Sequence, residues 1–304
     1  MAPMPAPEAY WDDLTHHVAV EEIWMGHPAA RARINRRVSG DPAIWPTTWL
    51  KHRLGARAPL ARTASLGSGT GNLERDLVRQ GIVARVTGVE LSATCVEEAR
   101  RLADAEGFAS RIDYESADAR AWLEEARGYD AIFFHGSLHH FDRLPALFAA
   151  VARALAPGGL LWFDEYVGPA ADEWGPRHLL LWNLIYRLRL PPAARRARLV
   201  RAPRNDADPT ESVASSAILP ALEHHFRVLE RRDYGGQLLT PIYPYLRRPD
   251  HRPPALREVF DHAVERLLDL EEVMLAHPGY PDCATHYCVV LATPRPAPEP
   301  AGRS

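Results

Sequence analysis

Lysine is nearly absent from this chain: Lys51 stands alone among 36 basic residues in a length of 304. Arginine, alanine and proline are abundant, a bias that reads as GC-rich coding and discounts arginine number as a functional sign. Cysteine is scarce as well. Cys95, Cys283 and Cys288 are odd in number and lack paired metal-type spacing, which argues against a disulfide framework and fits a reducing, cytoplasmic setting. Long hydrophobic runs are missing too. The longest, Leu179 to Tyr186, is broken by Asn183 and is far too short to span a bilayer, so no membrane association is expected. Met1 to Tyr10 has no basic segment leading into an apolar one, and no secretory leader is read there. A net charge of −3 gives no pull toward nucleic acid. What remains is ordinary globular material, 46% hydrophobic and 25% charged, sufficient to bury a full core.

Pattern divides the chain. Residues 1–9 and 294–304 are rich in proline and alanine and read as loose, disordered ends. Residues 10–58 read as a helical cap, interrupted at Gly40-Asp41-Pro42 and at Pro46. From 59 to 168 strands and helices alternate. Strands are expected at Arg62–Leu66, Ala84–Glu90, Arg111–Glu115, Tyr129–Phe134 and Leu160–Asp164. Helices are expected at Asn72–Gln80, from a capping box at Thr94 and Glu97 to Gly107, at Trp122–Ala126 and at Arg143–Leu155. Pro157-Gly158-Gly159 then reads as a turn. Residues 169–217 read as a helical insert. Residues 218–293 return to the core with a helix at Ile218–Phe226 and strands at Phe226–Tyr234 and His286–Ala292. Between those strands lies a second insert, about 236–280, carrying the amphipathic helix Pro254–Ala276. The expected fold is α/β: a Rossmann-like, doubly wound, mostly parallel seven-stranded sheet with an N-terminal helical cap and helical lid inserts. Ligands in such sheets bind outside the carboxyl ends of strands, where the inserts fall.

The chemistry concentrates after the early strands. Gly67-Ser68-Gly69-Thr70-Gly71 follows the first strand, and glycines there let backbone approach a ligand closely. A dinucleotide fingerprint needs a third small residue where this chain has Asn72, so the nicotinamide reading fails. Glu90 ends the second strand about 20 residues past the loop, where an acid can hold ribose hydroxyls. Asp118 follows the third strand, in a place that also suits a helix N-cap.

In this order and register the chain resembles class I S-adenosylmethionine-dependent methyltransferases of the small-molecule type, from about Ala61 to Tyr166. The resemblance implies S-adenosylmethionine as cofactor, with Gly67, Ser68, Gly69 and Gly71 around its methionine part. It implies Glu90 on the ribose, Leu91 beside the adenine, and Asp118 and Ala119 at the adenine amine. His135 and Gly136 would line the methionine side, and Leu138-His139-His140 looks like a stretch seen in many members. One departure stands out: Ser65 occupies the place before the loop where the family often has an acid. The implied activity is methyl transfer to an oxygen, nitrogen or carbon of a small molecule. Aminocarboxypropyl transfer or cyclisation on the same scaffold stays open, because Ser65 is atypical.

Methyl transfer is an in-line displacement, and alignment can supply roughly 7–11 kcal/mol of it. A base is needed only where the acceptor loses a proton, and His139 and His140 are the candidates. Glu165 and Tyr166, after the fifth strand, could position an amine or hydroxyl. Adjacent histidines without a partner at metal spacing predict no metal. Arg187 to Arg204 holds seven arginines, which suits either a solvated lid face or an anionic acceptor. No appended module suggests RNA, and a homodimer is compatible with everything read here.

Overall fold

Phe133 and Phe134, Trp162 and Phe163, and Val289 and Val290 are sequence neighbours that point to opposite faces of one sheet, each buried in a different apolar cluster. That is the period of a strand covered on both sides, and it explains the nearly unbroken apolar runs. The structure is a computed structural model describing residues 10–14, 23–203, 208, 210–248, 254–277, 279 and 283–296. Of the expected loose ends, 1–9 and 297–304 lie outside the described residues, while Pro294 closes the last strand and the Arg295 N–H donates to the His225 carbonyl, so the ordered chain runs further than expected.

Seven strands form the sheet: β1 (Thr63–Leu66), β2 (Val86–Glu90), β3 (Ile112–Ser116), β4 (Tyr129–His135), β5 (Leu155–Tyr166), β6 (Phe226–Gly235) and β7 (Tyr287–Pro294). Their order is β3-β2-β1-β4-β5-β7-β6. The first five run parallel, and β7 is antiparallel to both of its neighbours. One face is covered by α1 (Pro28–Ser39), α2 (Pro46–Leu54), α3 (Asn72–Arg79) and α4 (Ala93–Ala105). The other carries α5 (Ala119–Glu125) and α6 (Leu144–Ala154). Past the insert helix α7 (Pro176–Leu188), α8 (Ile218–His225) rejoins that second face, while α9 (Leu239–Ile242) and α10 (Pro254–Leu275) complete the first. Among the described residues no helix is long and apolar enough to cross a membrane.

The structure corrects several local expectations. The cap of α4 is Ser92, whose Oγ accepts from the Cys95 N–H at 3.1 Å, and not the box at Thr94 and Glu97. Thr94 already lies inside the helix, because the chain leaving Glu90 turns within two residues. Pro157-Gly158-Gly159 does not end a helix and start a strand. It bulges within β5, where the register jumps from Tyr129–Leu155 to Ala131–Leu160 while both ends stay paired to β4. The N-terminal helices divide their work. α1 packs against β6 and α10, and among the described residues before it the short piece 10–14 reaches the cleft at Ser92 and His140.

The Ser92 cap yields a direct check. Ser92→Ala should lower unfolding stability by about 1 kcal/mol, whereas Thr94→Ala should stay within about 0.5 kcal/mol, both read from urea titrations.

Candidate active site

β1 and β4 are adjacent and parallel, and the strand order reverses between them, so a crevice opens beyond their carboxyl ends. Out of β1 comes the glycine loop, and two of its glycines are sterically required. Gly67 has φ +69°, and a Cβ there would sit 2.6 Å from Ser137 Cβ. At Gly71, φ +78°, a Cβ would meet the Tyr114 hydroxyl at 2.1 Å. The loop is laced to β2: the N–H groups of Gly67 and Ser68 donate to the Val89 carbonyl, and the Gly69 N–H donates to Glu90 Oε2 at 2.9 Å. Glu90 Oε1 accepts the Ser92 N–H at 3.0 Å, so this buried acid ties the loop to the start of α4. Ser68 Oγ is buried against Gly88 of β2 with no hydrogen-bond partner.

The remaining cofactor-side candidates ring the same crevice. Leu91 follows Glu90 half-buried, and Ala119 is buried at the start of α5. Asp118 caps that helix through the N–H groups of Arg120 and Ala121. His135 is exposed at the tip of β4, its ring parallel to Trp162 at 6.5 Å, and Gly136 turns the chain at φ +60°.

Beyond Gly136, Leu138–His140 form a single 3-10 turn. Glu165, fully buried at the end of β5, holds this turn in place. Its Oε2 accepts the Ser137 and Leu138 N–H groups at 3.0 and 2.7 Å, and its Oε1 meets His139 Nδ1 at 2.5 Å. An ionised acid accepts only, so His139 donates from Nδ1 and presents a lone pair at Nε2. Burial disfavours charge on His139, yet the Glu165 charge and hydrogen bond, helped by Glu211 and Asp208, raise its pKa above the usual value. Burial likewise opposes charge on Glu165, but His139 and the Leu138 N–H hold its carboxyl below the ordinary range. With both oxygens committed to Ser137, Leu138 and His139, Glu165 positions the histidine. Tyr166 is committed as well, donating its hydroxyl proton to the Pro169 carbonyl at 2.8 Å.

Several residues here were missed by sequence reasoning. The far end of the first insert folds back over the histidines: Val213 N–H donates to the His139 carbonyl, and Thr210 Oγ1 lies 3.0 Å from His140 Nδ1. Thr210 gives its own proton to buried Asp208 at 2.7 Å, so His140 must donate from Nδ1. Burial and the neighbouring His139 keep His140 well below the usual histidine pKa. Glu211 completes a group in which ligand-type atoms of His139, His140 and Glu211 lie within 4.8 Å of one another. Trp11 closes the other side, its ring edge-on to His140 at 5.1 Å. No spacing rule links 11, 139 and 208–213; only the fold does. Tyr166 touches both the His139 and His286 rings, and behind it lies a cavity of about 200 Å³ lined by Trp182, Gln237, Thr285 and His286. Gln237 is buried with both amide atoms unpartnered, and His286 Nδ1 is unpartnered too.

In heteronuclear imidazole spectra His139 should titrate above the ordinary histidine value of about 6.5. Glu165→Gln should bring that midpoint down, since the amide has no charge to stabilise the imidazolium; an unmoved midpoint would contradict the pairing.

Comparison with known proteins agrees with this geometry. Residues 64–159 match the family model described as Methyltransferase domain. The trans-aconitate 2-methyltransferase of Streptomyces avermitilis is 38% identical over 133 residues, 42% of this chain and 46% of that protein. The enzyme of the same name from Paracidovorax citrulli is 36% identical over 118 residues, covering 36% and 42%. The match thus spans less than half the length of these relatives. Among solved structures, phosphoethanolamine N-methyltransferase 2 of Haemonchus contortus, in complex with S-adenosyl-L-methionine, superposes with a TM-score of 0.52. It is 17% identical, and the superposition covers 96% of this chain and 61% of that one. Geranyl diphosphate C-methyltransferase from Streptomyces coelicolor A3(2) gives 0.50 at 15% identity, covering 96% and 99%. At such identity these two speak for the fold alone. Family match and relatives converge on one assignment: residues 64–159 of this chain form a methyltransferase domain.

Proposed function

We propose that this protein transfers the methyl group of S-adenosylmethionine to an oxygen, nitrogen or carbon atom of a small molecule, with His139 as base where the acceptor must lose a proton. One observation carries the reading. Ser137 touches Gly67, donates its hydroxyl to the Leu66 carbonyl at 2.8 Å and donates its N–H to Glu165, so the histidine's anchor and the glycine loop are built on one residue. The free ring nitrogen of that base, Nε2, lies 3.8 Å from Glu211 Oε1.

The residues present fit the cofactor. Gly67, Gly69 and Gly71 all take positive φ, and a Cβ at Gly67 or Gly71 would collide with Ser137 or Tyr114, so the loop keeps its tight, backbone-lined shape only with glycine there. Gly67, Ser68, Gly69 and Gly71 would hold the methionine part with His135 and Gly136 opposite. Glu90 would hold the ribose, and Leu91, Asp118 and Ala119 the adenine. When bound, S-adenosylmethionine supplies an electrophilic methyl on a sulfonium. His139 then takes the acceptor proton at Nε2, while Glu165 keeps Nδ1 protonated and stabilises the imidazolium. Trp11 and the segment around Thr210–Val213 exclude water from above. The acceptor extends into the cavity behind Tyr166. No arginine lines that cavity and Glu173 does, so a hydrogen-bonding acceptor without negative charge suits Gln237 and His286, and an anionic group would have to lie elsewhere. Burial holds His286 down to about 3, hence neutral.

S-adenosylhomocysteine at about 100 times its dissociation constant should stabilise the fold by roughly 2.7 kcal/mol; no rise in melting temperature would end this reading. Turnover should release S-adenosylhomocysteine and not methylthioadenosine.

For a hydroxyl acceptor, His139→Ala should lower kcat by about 10²–10⁴-fold with cofactor affinity unchanged. Wild-type kcat should rise with pH through the raised His139 pKa, because only neutral imidazole accepts a proton. Glu165→Gln should shift that limb to lower pH. Dialysis against EDTA should leave turnover intact; loss with recovery on a divalent ion would reassign His139, His140 and Glu211 as ligands.

A further inference from the structure

Four glutamates are buried among the described residues: Glu74, Glu90, Glu165 and Glu271. Three have an evident job. Glu90 accepts the N–H groups of Gly69 and Ser92, Glu165 those of Ser137 and Leu138, and Glu271 those of Gly236, Leu238 and Leu239. Glu74 has none. It is 0% exposed, and neither carboxylate oxygen reaches full hydrogen-bond geometry with a partner, although the Ser65 hydroxyl and its own N–H lie near. Buried carboxylates are ordinarily bonded or paired, so such a group marks a place where a partner is missing.

Its position says which partner. Glu74 is the third residue of α3, the helix that springs from Gly71, and it shares the buried stripe of Leu77 and Val78. It faces Ser65 of β1 and lies within electrostatic reach of Glu90, so it sits beneath the glycine loop. Ser65 is the position where the resembled family has an acid. The strand lacks that charge, and the helix brings one to the same spot. Neighbouring groups do not use it. Arg75, beside it on α3, is spent on Glu106, the Thr70 carbonyl and Asn72 Oδ1. Tyr114 of β3 directs its hydroxyl at the Gly71 carbonyl.

We propose that Glu74 is the acid of this cofactor loop, displaced from β1 to α3, and that its carboxylate receives the ammonium group of the methionine part of S-adenosylmethionine. The assignment rests on the cofactor reading above. Burial raises the free carboxyl to about 7, only partly offset by Ser65, its own N–H and Arg75, with Glu90 pushing it further up. An arriving ammonium therefore finds a group poised to ionise. The helix N-terminus around Glu74 favours the anion once it forms.

Two ligands separate this role from a structural one: S-adenosylhomocysteine, which has the amino-acid arm, and methylthioadenosine, which does not. Calorimetric titration at pH 8 should show Glu74→Gln weakening S-adenosylhomocysteine about ten- to a hundredfold while methylthioadenosine binds unchanged. Adding the strand acid back, as Ser65→Asp with Glu74→Gln, should recover most of the loss. In the wild type, affinity for S-adenosylhomocysteine should fall from pH 8 to pH 6 and that for methylthioadenosine should not; Glu74→Gln should remove the slope. Equal loss for both ligands, or loss for neither, overturns the proposal. Should the variants not fold, matching pH profiles for the two ligands in the wild type overturn it equally. A wild type that binds methylthioadenosine and S-adenosylhomocysteine with Glu74→Gln indifferent refutes this role alone, whereas no binding of either refutes the cofactor reading as well.

Discussion

The cleft depends on buried carboxylates that grip backbone N–H groups. A loop leaving a strand tip has amides that no sheet or helix satisfies, and an acid accepting two or three of them both orders the loop and stabilises itself as an anion. Glu90 does this for the glycine loop and the start of α4, Glu165 for the turn bearing the histidines, and Glu271 for the chain leaving β6. The comparison among them is informative. Glu165 stays below the ordinary range, while Glu271 is pushed up to about 7 although it accepts three N–H groups. Glu165 has His139 beside it; Glu271 has only amides and the like charge of Glu272. Backbone dipoles alone do not overcome burial here. A cationic or proton-donating partner decides the charge.

This also explains why the histidine turn is rigid enough to carry chemistry. His139 is fixed at Nδ1 from below by a strand acid and at its carbonyl from above by the insert. Ser137 joins it to the glycine loop through contacts with Gly67 and Leu66. The two halves of the site are therefore not separate loops that meet on binding. They share a residue.

Much of this was legible in the sequence for a simple reason. β1, β2 and β4 are almost wholly buried, β3 at the sheet edge alternates buried and exposed residues, and the glycine loop, Glu90 and Asp118 fall at or just past the strand ends. The cap of α4 was misplaced because Thr94 and Glu97 have the right spacing, while the true cap depends on how sharply the chain turns after Glu90. Pro157-Gly158-Gly159 looked like a turn because composition cannot show that both flanks remain paired to β4. Asp208, Thr210 and Glu211 were invisible, since nothing local connects them to residues 70 positions earlier. Glu74 could have been found. It stands three and four residues before Leu77 and Val78, a charge inside the apolar stripe of α3.

One strand of the sheet has a bearing on how the molecule is made. β7 is the last strand in the chain, yet it lies between β5 and β6. Val289 completes one apolar cluster and Val290 the other. During synthesis from the N-terminus, β6 has no neighbour to pair with until residues 287–294 emerge. The parallel half and its glycine loop can assemble before β6 finds its neighbour. Closure of the sheet, and with it the wall behind Tyr166, therefore waits for residues 287–294.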